Sequence, residues 1–516
     1  MNLKGETMNQ PVSVLKGTIL LAFAGFVVKI MGAVYRILLA RLIGVEGIGL
    51  YQMAYPVYLV FLSLSTAGIP IALSKLIAEK EAQQDDMGVK TVFQGALVLL
   101  LVLGISCSLI MGLSARWLAG RVLADGRAVF TIWALSPAIF FMSLLAVFRG
   151  YFQGRREMGL SAVSQIIEQV VRVGVAITLA ICLVGRGVEH AAAGAAFGGV
   201  IGGAAALLYL ALIQLGTFRL AKARVTYQSI KPVIRRIVRF ALPISVTVIL
   251  MPILQTLDSI IVPLKLHSIG YTVKQATSML GVLGNSWAVL YLPMIVTGAI
   301  ASNLVPEVAS LKAVGNRKDL RCKINDGIRL GLIWVIPAAV GLFCFGNSIF
   351  RLLYGLRGVE ILSWFAPAVI FLGIEQITAG VLQGMGKPLR PLFNFITGAV
   401  LKILVSMLSI GWPGLNLAGA ALGTVCGSGM TAVLNLFSLR KLVKANINFM
   451  PSVGAGLIML LTCGYIIKTI RMNYILEMII AGGGSLLVYL ITLRFLGGIE
   501  NSDLEVIGKL VGEKGK

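Results

Sequence analysis

Apolar blocks of about 20 residues recur along this chain from residue 15 to residue 496, each long enough to cross a hydrocarbon core about 30 Å thick. Lipid offers no partner to a bare peptide group, so such blocks must be helices or strands of a closed barrel, and uninterrupted apolar runs of this length read as helices. The composition agrees: 58% of the 516 residues are apolar, only 13% are charged, and the mean hydropathy is +0.91. A water-soluble enzyme is excluded. The first block is not a cleavable leader, because it runs past Lys29 and Arg36 into a second apolar block rather than into a soluble domain.

Runs bounded by charge or by Gly and Pro clusters predict helices near 15–40, 51–75, 91–115, 129–150, 158–184, 190–213, 239–263, 277–304, 328–350, 360–382, 391–411, 415–437, 449–470 and 475–496. The fold class that follows is all-α, a polytopic membrane protein of about fourteen transmembrane helices. A net charge of +24 would suggest nucleic acid in a soluble protein, but here position decides. With the N-terminus inside, about thirty of the Lys and Arg residues fall in cytoplasmic connections and roughly eleven outside, which predicts cytoplasmic termini and no nucleic-acid role. Arg116, Arg121 and Arg127 dissent from that pattern. The longest connection, the basic linker 214–238, is expected to join two bundles and to hold anionic lipid headgroups.

The chain repeats itself. RGYFQG at 149–154 and AGVLQG at 379–384 place Gly150, Gln153 and Gly154 at a constant offset from Gly380, Gln383 and Gly384, and the same offset carries Gly68 onto Gly298 and Arg172 onto Lys402. GAAFG at 194–198 answers GAALG at 419–423. The expected division is an N-terminal tail (1–14), an N-lobe (15–213), the linker (214–238), a C-lobe (239–437), two further helices (438–496) and a C-terminal tail (497–516). Two pseudo-symmetric six-helix lobes then enclose a substrate between them. The glycine rows 194, 198, 202 and 419, 423, 427 predict close helix packing. Pro243, Pro252 and Pro263 fall in the seventh helix and predict bends, which are either static or a gating hinge.

Four cations lie within spans: Lys29, Arg36, Arg172 and Lys402. Lys29 and Arg36 are seven residues apart and share a helix face. Each costs about 2.5–3.5 kcal/mol at a span centre, so lipid exposure is excluded and a hydrated cationic cavity is the preferred reading. The alternative for Arg172 is simple neutralisation by Glu168, one helical turn away. Asp258 and Glu375 are the remaining candidates for charge partners or for sodium or proton coupling. A cationic midplane favours a phosphate-bearing cargo, for which Arg and Lys supply charge-assisted hydrogen bonds. The chain carries no nucleotide-binding loop, no metal-ligand spacing and no catalytic constellation, so no enzyme activity, metal or cofactor is expected. Membrane potential or an ion gradient remains as the driving force. Five of the six cysteines lie in apolar blocks, which argues against a disulfide framework.

LKGT (15–18), RLIGVEGIGLY (41–51), GIPIALSKLIAE (68–79), RGYFQG (149–154) and LVPE (304–307) resemble the polysaccharide-export branch of the multidrug/oligosaccharidyl-lipid/polysaccharide flippase superfamily. The resemblance covers essentially the whole chain. It implies fourteen helices in the bacterial cytoplasmic membrane, and alternating access that moves an undecaprenyl-diphosphate-linked sugar to the outer leaflet. Peptidoglycan and polysaccharide intermediates are the implied cargo class, in cell-wall synthesis or sporulation. It also implies a cavity role for basic residues of the first helix, which Lys29 and Arg36 fill. Family cavity arginines of the second and eighth helices have no mid-span counterpart here. The expectation is a monomeric flippase whose diphosphate site is Lys29, Arg36, Arg172 and Lys402. A cation-coupled drug exporter and a membrane scaffold for envelope synthesis are the alternatives.

Overall fold

The computed structural model describes residues 10–218, 227–356, 359–412, 414–443, 448–469 and 473–499. Residues 1–9 of the N-terminal tail, 219–226 of the basic linker and 500–516 of the C-terminal tail lie outside them. The described residues are all-helical: α1 (Gln10–Thr66), α2 (Ile69–Ala82), α3 (Asp86–Trp117), α4 (Ala128–Gly154), α5 (Met158–Val184), α6 (Val188–Phe218), α7 (Tyr227–Ser268), α8 (Val273–Val314), α9 (Arg317–Tyr354), α10 (Ile361–Gly384), α11 (Leu389–Ser409), α12 (Leu417–Val443), α13 (Met450–Thr469) and α14 (Tyr474–Phe495). Among the described residues, thirteen helical stretches are long and apolar enough to cross a membrane.

The first stretch, Phe23–Ala82, is 60 residues long. At 1.5 Å per residue it would extend about 90 Å, three times the hydrocarbon core, so it must contain more than one crossing. Gly44 supplies the break, with φ 69° and ψ −179°. A Cβ there would meet no atom, so the requirement is conformational: this backbone region is open essentially to glycine alone. The expected second helix, 51–75, is itself interrupted. It ends at Thr66 and restarts at Ile69 after Gly68, whose φ is 73°. A side chain at Gly68 would also strike the Ala241 carbonyl of α7. The apolar run hides this break because glycine is common inside membrane helices.

Other helices exceed the expected limits. α8 and α9 continue to Val314 and begin at Arg317, well beyond the apolar blocks 277–304 and 328–350. Hydropathy marks only the lipid-facing length, whereas the helical hydrogen-bond ladder continues into polar turns and stops at caps. Asn316 accepts the Asp319 backbone N–H at 3.2 Å to start α9. Asp85 starts α3 in the same way, accepting from Gly88 at 2.7 Å and from the Lys80 ammonium at 2.7 Å. The Lys80 bond, then the Gly88 bond, hold the Asp85 carboxyl below the usual range. α7 is helical throughout 227–268, so Pro243, Pro252 and Pro263 all lie within one continuous helix. Pro263 is buried and the Pro252 carbonyl accepts the Thr256 hydroxyl at 2.8 Å.

The chain forms two compact units, Met1–Asn285 and Ser286–Lys516, with the boundary inside α8. In the first, α7 packs on α1, α2 and α3. One core there joins Leu73, Leu76 and Ile77 of α2 with Phe93, Tyr151, Phe152 and Leu210. The two units repeat their packing. Gly150 and Gly154 of α4 lie against Pro70 and Ile77, while Gly380 and Gly384 of α10 lie against Ala301 and Val308. The predicted glycine rows are close-packing ridges: Gly198 and Gly202 of α6 abut the backbone of Arg172 and Glu168, and Gly423 and Gly427 of α12 abut Lys402.

Candidate functional site

The glycine ridge of α6 brings α5 in so closely that the Arg172 side chain is turned into the first unit. Its Nη2 donates to Glu168 Oε1 at 2.8 Å, the expected intrahelical pair. Glu168 does not belong to Arg172 alone. Its Oε2 accepts from Arg149 Nη2 of α4 at 3.0 Å, and Arg149 Nε donates to the Ser164 hydroxyl at 2.9 Å. One buried carboxylate thus serves two guanidiniums, and the cluster keeps a net positive charge. Neutralisation of Arg172 by Glu168 is therefore incomplete. The Nε of Arg172 is buried with no hydrogen-bond partner among the described residues. Sequence reading missed Arg149 because it sits 19 residues before Glu168, at the end of a span and inside a motif that reads as a repeat marker.

Aromatic side chains from α1 face this cluster. Tyr51, Tyr55 and Tyr58 lie on one helix face, with ring centroids 5.3 Å and 5.7 Å apart, and both Tyr55 and Tyr58 are within electrostatic reach of Arg172. Tyr35 is buried and is reached by Arg172 and Arg36 together. Arg36 donates from Nη2 to Gln52 Oε1 and to the Gly284 carbonyl of α8, each at 2.8 Å. Lys29 is exposed and makes no ion pair among the described residues.

Lys402 belongs to the second unit. Its ammonium stands 5.2 Å from the centre of the Trp287 ring, a cation–π distance, and Glu375 of α10 is within its electrostatic reach. Beside Glu375, Gln376 accepts from Thr297 at 2.5 Å. Of the four predicted cations, Arg36 and Arg172 converge on shared tyrosines in the first unit, Lys29 lies earlier on α1, and Lys402 is held within the second. Asp258 is half-buried on α7.

A second polar cluster was not legible beforehand. Asp125, only 2% exposed, accepts from Arg127 Nη2 at 2.8 Å and from the Thr277 hydroxyl at 2.7 Å. Arg127 also pairs with Glu46 of α1, which Lys274 approaches at 3.5 Å. Burial pushes the Asp125 carboxyl up, but the bonds from Arg127 and Thr277 outweigh it and hold the group below the usual range. Arg127, one of the dissenting cations, is consumed by two carboxylates, and Arg116 lies over the Trp133 ring.

Residues 14–270 match the family model described as polysaccharide biosynthesis protein. Stage V sporulation protein B of Bacillus subtilis (strain 168) is 28% identical over 96% of this chain and 98% of its own length. The chain belongs to the polysaccharide biosynthesis family of the MOP superfamily. Lipid II flippase MurJ of the same organism is 26% identical to this family member over 80% of each chain. Among solved structures, lipid II flippase MurJ in an inward closed conformation superposes with a TM-score of 0.67 at 20% identity, covering 94% of this chain and 99% of that one. An inward-facing multidrug resistance MATE transporter gives 0.67 at 18% identity, covering 81% and 95%. These two likenesses establish the fold. The family member is a multi-pass membrane transporter and not an enzyme.

Proposed function

We propose that this transporter is a flippase for an undecaprenyl-diphosphate-linked sugar, a peptidoglycan or related polysaccharide precursor, which it moves to the outer leaflet of the bacterial cytoplasmic membrane. The observation that carries this reading is the Arg149–Glu168–Arg172 cluster, two half-buried guanidiniums sharing one carboxylate beneath a tyrosine ladder. A buried site with excess positive charge recognises an anion and repels a cationic drug. Relatives named for sporulation and for lipid II flipping support the same cargo class.

In this reading Lys29, Arg36, Arg172 and Lys402 meet the diphosphate, Glu168 and Glu375 set the local charge balance, and the lipid tail stays in the bilayer or against α13 and α14. The protein acts as a monomer with cytoplasmic termini, and α7 with its three prolines flexes as the lobes alternate. No nucleotide takes part. An inside-negative potential drives a net anion outward with about 2.3 kcal/mol per charge per 100 mV. Asp258 and Glu375 are the positions at which an ion would couple.

Equilibrium binding tests the reading. The purified chain in nanodiscs should bind undecaprenyl diphosphate at least about tenfold more tightly than uncharged undecaprenol, since one net charge-assisted hydrogen bond already supplies that factor. Equal binding of the two lipids would overturn it.

A further inference from the structure

The Arg36 guanidinium is doubly engaged at a single nitrogen. Both protons of Nη2 are spent, one on the Gln52 amide oxygen and one on the Gly284 carbonyl, while Nε and Nη1 make no hydrogen bond among the described residues. Guanidinium geometry makes this choice of nitrogen consequential. A phosphate is gripped two-pronged either along the side edge, Nε with Nη2, or across the end, Nη1 with Nη2. Each fork requires Nη2. Arg36 therefore cannot take a phosphate in a bidentate grip and keep both present acceptors.

Those acceptors lie at a helix crossing. Gly284 is on α8, and a Cβ on it would press on the Arg36 Nη2 and the Gln52 oxygen. One turn earlier, Gly281 fits against the Val45 carbonyl of α1, and Gly49 of α1 fits against the Thr277 carbonyl of α8. Backbone meets backbone here, and Thr277 is fully buried. Ser259 of α7 adds a bond to the Gln52 carbonyl at 3.0 Å, and the Asp125, Arg127, Glu46 and Lys274 cluster closes the end of the crossing. The contact between α1 and the start of α8 is tight, and Arg36 is its latch on the side toward Tyr35 and Arg172.

We propose that Arg36 couples anion capture to this crossing: a diphosphate gripped by Arg36 takes its Nη2 away from Gln52 or Gly284, and the α1–α8 contact loosens. The proposal rests on the diphosphate reading given above. The coupling is reciprocal. Whatever weakens the latch strengthens diphosphate binding by the same factor, and whatever strengthens it does the reverse.

The test uses the full chain in nanodiscs, with its native cysteines replaced and Thr277→Cys as the reporter in every background, so that the reporter's own effect cancels. A water-soluble maleimide reports how often the crossing opens, and undecaprenyl diphosphate is the probe. Gln52→Leu deletes one acceptor, so basal labelling should rise and the diphosphate should bind more tightly, each by about tenfold. Gln52→Glu replaces the amide by a carboxylate that holds the guanidinium harder, so labelling and affinity should both fall. Opposite signs from two near-isosteric variants are not expected of a residue that only packs. If the diphosphate binds but leaves labelling unchanged, or if the two variants shift labelling in the same direction, the latch is overturned. If labelling responds to both variants as expected but no variant binds the diphosphate, the latch stands as a structural element while the cargo reading and the coupling built on it fall.

Discussion

The backs of α5 and α11 are built alike, whereas their fronts differ. Behind Arg172 and behind Lys402 a row of glycines on the next helix touches the backbone directly, at matching places in the repeat. In front, Arg172 shares Glu168 with Arg149 beneath tyrosines, while Lys402 lies over Trp287 with Glu375 nearby. The spacing that packing demands is alike in the two places, while the charge environment differs. One half holds planar guanidiniums suited to two-pronged phosphate recognition, and the other a single ammonium point charge. The two charge environments are therefore not interchangeable, although the glycine packing behind them is alike.

The sharpest way to break this contrast is to remove the carboxylates. Glu168→Ala leaves two half-buried guanidiniums uncompensated and should destabilise the first unit by about 2–3 kcal/mol, seen as a drop in thermal midpoint in detergent. Glu375→Ala, facing one ammonium that retains its aromatic ring, should cost clearly less. Equal losses would mean that the two environments are electrostatically alike. The shared scaffold is tested by Gly198→Val and Gly423→Val, each of which forces a side chain into a backbone contact. Both should cost about 1–3 kcal/mol and by similar amounts, and a loss confined to one half would contradict the common packing. Gly44→Ala adds a Cβ where space is free but φ is positive, at a cost of about 1–3 kcal/mol read from the same melting curves.

The smallest expected effect is one of pH, and it belongs to the first unit alone. Asp125 has a lower pKa in the folded chain than when unfolded. Its stabilising contribution is thus complete above the unfolded value of about 3.9 and is lost as pH falls through the lower folded value. Asp125→Asn should flatten the acid limb of thermal stability below about pH 4 and leave the neutral region offset but parallel. An unchanged acid limb would show that the bonds from Arg127 and Thr277 do not carry it.

Sequence reading reached the all-helical membrane fold and the Glu168–Arg172 pair because these depend on apolar length and helical spacing. It did not reach the break at Gly68, since a glycine inside an apolar run looks like any other packing glycine until its φ is known. Nor did it reach Arg149, Gln52 or the Asp125 cluster. Arg149 reaches Glu168 19 residues on, Gln52 reaches Arg36 16 residues back, and Asp125 reaches Thr277 152 residues on, contacts that no local periodicity records. The four cations were legible as costly charges, yet what each one touches depends on the tertiary fold.

Leaflet-resolved movement of a labelled undecaprenyl-diphosphate sugar in proteoliposomes tests the central claim most directly. The wild-type chain is compared with Lys29→Ala/Arg172→Ala/Lys402→Ala at matched folding. The account predicts movement by the wild type, faster under an inside-negative potential, and none above protein-free vesicles by the triple variant. Equal movement by both would contradict a cationic site as the basis of transport.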